Sequence, residues 1–184
     1  MRTIVAAAVL VFVSSVTLAQ APATKPAATQ PLKPPFRIDA GASAERKDAK
    51  GNVWLADQGF KDGTPIDRDP KLAIAGTDDP AVYRTERYGM TAFSVPVPNG
   101  KYAVKLHFAE TSSAVTAAGE RVFGIKVEDT ELKDFDVMKK AGAREKAHVE
   151  TVEVEVKDGK LDIAFTEGTQ HTLINGIEVL PPEK

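Results

Sequence analysis

An all-β fold, arranged as an antiparallel sandwich or jelly roll, is the class that the sequence predicts. Three observations lead there. Apolar residues recur at every second position over most of the chain, which is the period of half-buried strands. Turn formers are plentiful, with 13 Gly and 12 Pro in 184 residues. No long stretch carries the 3.6-residue apolar period of an amphipathic helix.

Taken in order, residues 1–21 read as a secretory signal peptide, with Arg2 as the positive start, Ile4 to Val13 as the apolar run and Ala19-Gln20-Ala21 as the cleavage site. The apolar run is short for a bilayer span. The alternative is an uncleaved N-terminal anchor. Cleavage implies a secreted or periplasmic protein with no integral membrane segment. Residues 22–35 form a Pro/Ala/Thr linker in which five prolines exclude a helix or a central strand. A single domain over 36–184 follows.

Within that domain, Phe36 opens the first strand. Residues 57–80 are rich in Asp, Gly and Pro and read as a long loop. Residues 91–97 form a strand that turns at Pro98-Asn99-Gly100 into 101–109, where Tyr102, Val104, Leu106 and Phe108 share one face, and Lys101, Lys105 and His107 the other. Further strands are expected at 121–127, 150–156 and 161–165, each apolar at alternate positions. Asp158-Gly159 lies between the last two and reads as a hairpin turn with positive φ at both central residues. A short helix is possible over 138–147, weakened by Gly142. The last strand spans 173–180, before Pro181-Pro182.

Composition narrows the chemistry. There is no Cys, so disulfides, thiolate metal sites, cysteine nucleophiles and iron–sulfur centres are excluded. Charges nearly balance, 24 Lys+Arg against 26 Asp+Glu, and no basic field exists to gather nucleic acid. The three histidines, at 107, 148 and 171, lack metal-ligand spacing. No cofactor is expected. The acidic pairs Asp67/Asp69 and Asp78/Asp79 lack a calcium-loop pattern and read as solvated loop.

Several segments then occur in an order that resembles the malectin domain family, of the type found in bacterial secreted proteins. They are Phe36-Arg37-Ile38-Asp39-Ala40-Gly41, then Trp54 and Asp57, then Tyr83-Arg84-Thr85-Glu86-Arg87-Tyr88. Val97 to Tyr102, Leu106-His107-Phe108-Ala109-Glu110, Arg121-Val122-Phe123, Phe135-Asp136-Val137 and Ile174-Asn175-Gly176-Ile177-Glu178 complete the series. The resemblance spans essentially all of 36–180. It implies a lectin-like β-sandwich that binds glucose-type or related oligosaccharides or polysaccharides without catalysis.

A sugar site needs an aromatic face for the pyranose ring and polar groups for its hydroxyls. By strand alternation, Tyr83 and Tyr88 point opposite ways. The resemblance assigns Tyr83 to the core and Tyr88 to the ligand, because the tyrosine matching Tyr88 stacks on sugar in the family's animal lectin. Arg87, Glu110 and Gln170 are candidate polar contacts. Glu110 has a second reading, a salt bridge to Arg87 or Arg121. Trp54 reads as packing. Asp39 and Asp57 read as loop-fixing groups that accept from backbone amides, and Asn175 as a partner for buried backbone. The chain departs from the family where two adjacent ligand aromatics are replaced by Ser112 and Ser113, and where a carboxylate near the last strand is replaced by Gln170 or His171.

Two rivals remain. A glycosidase needs two carboxylates about 5–10 Å apart, and Asp57, Asp79, Glu86 and Glu110 are candidates by number alone. A protein-interaction or surface-scaffold module would use the same sandwich without touching sugar, and the serines at 112–113 favour it.

Overall fold

The protein was analysed as a computed structural model that describes residues 30–182. The expected leader, 1–21, and the linker as far as 29 lie outside the described residues. In chain order the elements are β1 (Phe36–Asp39), β2 (Arg46–Lys47), β3 (Val53–Trp54), β4 (Phe60–Asp67), a 3-10 turn (Pro80–Arg84), β5 (Thr85–Pro96), β6 (Gly100–Phe108), β7 (Phe123–Val127), β8 (Thr130–Phe135), α1 (Val137–Ala141), β9 (His148–Val156), β10 (Lys160–Thr166), β11 (Leu173–Ile174) and β12 (Gly176–Leu180). Among the described residues no helix is long and apolar enough to cross a membrane.

The strands form two main antiparallel sheets, with β2 and β3 paired as a separate two-stranded ribbon. One has four strands in the order β1-β12-β6-β9. The other has the path β11-β5-β10-β7-β8, with β4 also paired to β5. Alternation delivers one face of each sheet to a shared interior. Val104, Leu106, Phe108, Val152, Val154, Ile177 and Val179 come from the smaller sheet, and Met90, Phe93, Val95, Ile125, Leu161 and Ile163 from the larger. Each fully buried Val, Leu, Ile or Phe contributes about 1.5–3 kcal/mol, so the expected sandwich stands on a core of ordinary strength. Leu32, at the end of the Pro-rich segment, packs on this core and its N–H donates to the Pro96 carbonyl at 2.8 Å.

The outer face of the four-stranded sheet is not open to water throughout. A second cluster of Trp54, Ile74, Val82, Tyr83 and Ala109 lies on it. His107, on the polar side of its strand by alternation, is buried there between Trp54 and Tyr83, with ring centroids 5.3 and 5.8 Å away. Its Nδ1 is 2.9 Å from the Tyr83 hydroxyl and its Nε2 is 2.9 Å from the Glu178 carboxylate, which also accepts from Arg37 Nε at 2.6 Å. Burial raises the Tyr83 phenol well above the ordinary tyrosine range. Burial also pushes the Glu178 carboxyl up, but His107 and Arg37 outweigh it and hold the group below the usual glutamate value. Gly176 makes room for the indole: a Cβ there would come within 2.9 Å of Trp54 and 3.0 Å of Val82.

The two expected hairpins are corners between sheets. Residues 97–99 join β5 of the larger sheet to β6 of the smaller, and 157–159 join β9 of the smaller to β10 of the larger. Only Gly159, at φ 82°, takes the left-handed conformation, whereas Asp158 accepts from the Lys160 N–H at 3.2 Å. The corners are tied together by Val97 N–H donating to the Gly159 carbonyl at 3.0 Å and Asn99 Nδ2 donating to Lys157 at 2.8 Å.

Three other elements differ from expectation. The long loop contains β4, an exposed edge strand whose backbone pairs with β5 from Phe60↔Phe93 to Asp67↔Thr85 through a bulge at Lys61/Asp62. The hairpin β7–β8 closes at Val127↔Thr130, where the sequence suggested no strand after 127. The helix is five residues long. Asp136 caps its start by accepting from Lys139 N–H at 3.0 Å, and Gly142, at φ 81°, ends it by donating to Met138 O at 2.8 Å.

Candidate functional site

β5 is the strand that builds the site. Its twelve residues reach from the inter-sheet corners to the opposite rim, where Tyr88 pairs with Thr64 on β4 and Leu173 on β11. The 3-10 turn before it breaks the alternation between Tyr83 and Tyr88. Tyr83 is buried in the outer cluster, while Tyr88 is half-buried and packs against the main core. The phenol of Tyr88 has two neighbours at the rim. His171 meets it edge-on with centroids 5.2 Å apart, and the Arg121 guanidinium carbon lies 5.3 Å from the ring centre.

Arg121 is the hinge-pin of this arrangement. It is only 3% exposed, its Nε donates to the Glu110 carboxylate at 2.6 Å, and its Nη1 donates to the His171 carbonyl at 2.6 Å. Glu110 is 1% exposed and also accepts from Ser112 N–H at 2.9 Å. Of the two partners expected for Glu110, Arg121 is therefore the one it holds. Removing one member of such a buried pair costs about 3–5 kcal/mol. The fixed pair orients the 110–113 loop and the segment around His171 against Tyr88.

A second network lies beside the first. Glu86 is buried, accepting from Arg68 Nη2 at 2.7 Å and from the Thr111 hydroxyl at 2.8 Å, and Arg68 Nε donates to that hydroxyl at 3.0 Å. Arg87 turns to the other side of β5. It forms an ion pair with Asp57, donates from Nη1 to the Gly63 carbonyl at 3.1 Å and lies 5.6 Å over the Phe60 ring. Asp57 also accepts from Gly41 N–H at 2.8 Å, the loop-fixing role expected of it. Asp39 differs: it accepts from side chains, Arg46 Nε at 2.7 Å and the Thr85 hydroxyl at 2.5 Å, and not from backbone amides. Its burial raises the carboxyl above the ordinary range despite those two bonds and the Arg46 charge. Asn175 binds buried backbone as expected, accepting from Ala109 N–H at 2.7 Å and donating to Thr85 O at 2.7 Å.

The structure thus brings Tyr88 and Glu110 together through Arg121, and sets Arg87 apart on Asp57. Gln170 is exposed next to His171, which is itself exposed and hydrogen-bonded to Glu167. Ser112 is half-buried and Ser113 exposed on the loop after Glu110. The Arg68–Glu86–Thr111 network was missed from sequence, although Glu86 shares the face of Tyr88 by alternation. A cleft of about 470 Å³ lies on the outer face of the larger sheet and includes Glu167 and Thr169 in its wall. A second, also about 470 Å³, lies over the outer face of the smaller sheet between Asp48–Trp54 and Gly76–Tyr83.

Comparison with known proteins places this geometry. A family model described as the malectin domain matches residues 35–179. The chain is 34% identical over 113 residues to receptor-like protein 4 of Arabidopsis thaliana, covering 60% of this chain and 18% of that protein. It is 31% identical over 107 residues to malectin of Homo sapiens, covering 55% of this chain and 36% of that protein. It therefore spans well under half the length of these relatives. Among solved structures, a Bacteroides uniformis beta-glucuronidase superposes with a TM-score of 0.71 at 18% identity, over 80% of this chain and 18% of that one. The plant receptor FER in complex with the peptide RALF23 and LLG2 superposes with a TM-score of 0.67 at 22% identity, over 78% of this chain and 47% of that one. Both likenesses are of fold.

Proposed function

Because the chain belongs to the malectin domain family of carbohydrate-binding domains, we propose that it is a non-catalytic module that holds glucose-type or related oligosaccharides at the rim around Tyr88. The observation that carries this reading is the placing of the phenol, half-buried at the rim with the Arg121 guanidinium 5.3 Å from its centre and His171 edge-on at 5.2 Å. Such contacts, with Arg121 fixed on Glu110, restrict the ring before a ligand arrives. Stacking on a pyranose then costs little ordering, and Gln170 and His171 stand beside it as hydroxyl partners. Glu110 acts through Arg121, and Arg87 through the β4–β5 edge that supports Tyr88.

Absence of catalysis is part of the proposal. The carboxylates at 57, 86 and 110 are each engaged by an arginine, an arrangement suited to holding shape and not to moving protons. The module is assigned to the periplasm or cell exterior, on the leader-like residues 1–21 and on relatives that are receptor-like proteins. A glycan array probed with the protein tests the reading. Hits among glucose oligosaccharides support it, and reducing-end release from a hit would replace it with a hydrolase.

The second reading is a protein-interaction module. Ser112 and Ser113, half-buried and exposed on the loop after Glu110, favour it, since they withhold the stacking area that aromatic residues would supply there. FER, which shares this fold over part of its length, is found in complex with a peptide and LLG2. An array without hits above background decides for it.

A further inference from the structure

The cleft on the outer face of the larger sheet is not part of the rim, yet the two share a wall. Glu167 lines the cleft and is hydrogen-bonded to His171, whose ring abuts Tyr88. The segment between them is pinned to the edge of β7: Thr169 N–H donates to the Val122 carbonyl at 3.0 Å, and a Cβ on Gly168 would collide with that carbonyl at 2.3 Å. The wall is thus fixed relative to both sides.

The floor of the cleft is a gap in a row of side chains. On β7, Phe123, Ile125 and Val127 face the core, so Gly124 and Lys126 face outward. Gly124 pairs with Thr166 on β10. With no side chain at 124, the sheet surface drops there to backbone and to the threonine. Around this trough stand Lys126 and Lys133 against Glu131, Asp134 and Glu167. The signs are interleaved and nearly balanced. Such a lining offers donors and acceptors together and has no field to select a phosphate or a polyanion, so it fits a neutral, hydroxyl-rich chain.

We infer that this cleft is a second binding site, a subsite that takes the continuing sugars of a glycan whose end is held at Tyr88. The inference rests on the rim reading above and extends it from a short saccharide to a longer chain. A ligand that touches both the Tyr88 ring and the trough at Gly124 has to cross the 167–171 segment that stands between them. The ligand class is therefore an oligosaccharide or polysaccharide that passes over the 167–171 wall.

Gly124→Leu tests this cleanly. The residue does not occupy a left-handed conformation, and a Cβ there meets only Thr166, with its nearest atom at 3.5 Å, an ordinary contact. The variant fills the trough without straining the fold, which a thermal melt checks. Lys126→Ala, at an exposed position, is the companion variant. Calorimetric titration of the full protein would use two length series, maltose to maltohexaose and cellobiose to cellohexaose. In one series the wild type is expected to bind the hexasaccharide about tenfold tighter than the disaccharide, a difference of about 1.4 kcal/mol. Gly124→Leu should return the hexasaccharide to the disaccharide value, Lys126→Ala should weaken only the longer members, and Tyr88→Ala should lose both. A disaccharide that binds while the hexasaccharide binds no tighter, or is untouched by Gly124→Leu, overturns the subsite and leaves the rim reading standing. Failure of every member of both series to bind overturns the two together.

Discussion

Arg121 and Tyr88 face each other across the rim, the guanidinium carbon 5.3 Å from the centre of the phenol ring. A cation over an aromatic face is worth about 0.5–2 kcal/mol depending on desolvation, and here the cation is buried and cannot drift away. The pairing decides which parts of the phenol remain for a ligand: those that Arg121 and His171 leave uncovered.

Tyr88→Ala should abolish measurable saccharide binding, while Tyr88→Phe should retain most of it. Because the ring is half-buried on the main core, alanine should also lower stability by about 1–2 kcal/mol. Titration against the best array hit, with urea unfolding of both variants, checks the two effects separately. Equal binding by the alanine variant would refute the rim assignment.

Glu110→Ala should destabilise the protein by about 3–5 kcal/mol, since it leaves Arg121 charged, buried and without its carboxylate. The double variant Glu110→Leu/Arg121→Met should recover much of that loss. Urea midpoints for the single and double variants measure it. Recovery would mark the pair as a device for positioning, with sugar binding lost even where stability returns.

Acid should reveal Glu178. Its folded carboxyl lies below the ordinary glutamate value of 4.5, so its contribution is complete above that value and is lost as pH falls through the folded one. The stability gap between wild type and Glu178→Gln should be full above about pH 5 and close on further acidification. Asp39 carries the opposite sign. Raised by burial from 3.8, it stabilises most below that value and loses its contribution as pH rises through the folded one. Chemical unfolding across an acid pH series separates the two, and a Glu178→Gln gap that widens in acid would contradict the assignment.

Asn175→Ala should cost about 2–3 kcal/mol by orphaning the Ala109 N–H and the Thr85 carbonyl in the interior. Asn175→Asp should fare no better, since a carboxylate accepts from Ala109 but cannot donate to Thr85. Thermal melts followed by the emission of Trp54, the single tryptophan, give the measurement.

The strands that bury one face were legible because their alternation is clean: β6, β9 and β10 lie within a residue or two of their expected bounds. β4 and β8 were not, for the same reason. They are edge strands with few buried side chains, Phe60 and Ile66 being only half-buried on the first, and a neighbour's backbone holds them. The turn at Asp158-Gly159 was read correctly as a turn and wrongly as a hairpin, because local turn chemistry does not say whether the next strand pairs or crosses. The opposite burial of Tyr83 and Tyr88 and the Glu110–Arg121 pair could be read from sequence. The Arg68–Glu86–Thr111 network could not, since it joins three segments that only the fold brings together. The pairing of Arg87 with Asp57, thirty positions earlier, was not legible because nothing local announces it.

The pairing of β1 with β12 joins Phe36 to Val179 and Ile38 to Ile177. During synthesis, therefore, β1 can bond Leu55 early along one edge, while its other edge waits for β12 until nearly the whole domain has left the ribosome. A nascent chain halted after β10 would leave the edge of β1 that faces β12, from Phe36 to Asp39, unzipped.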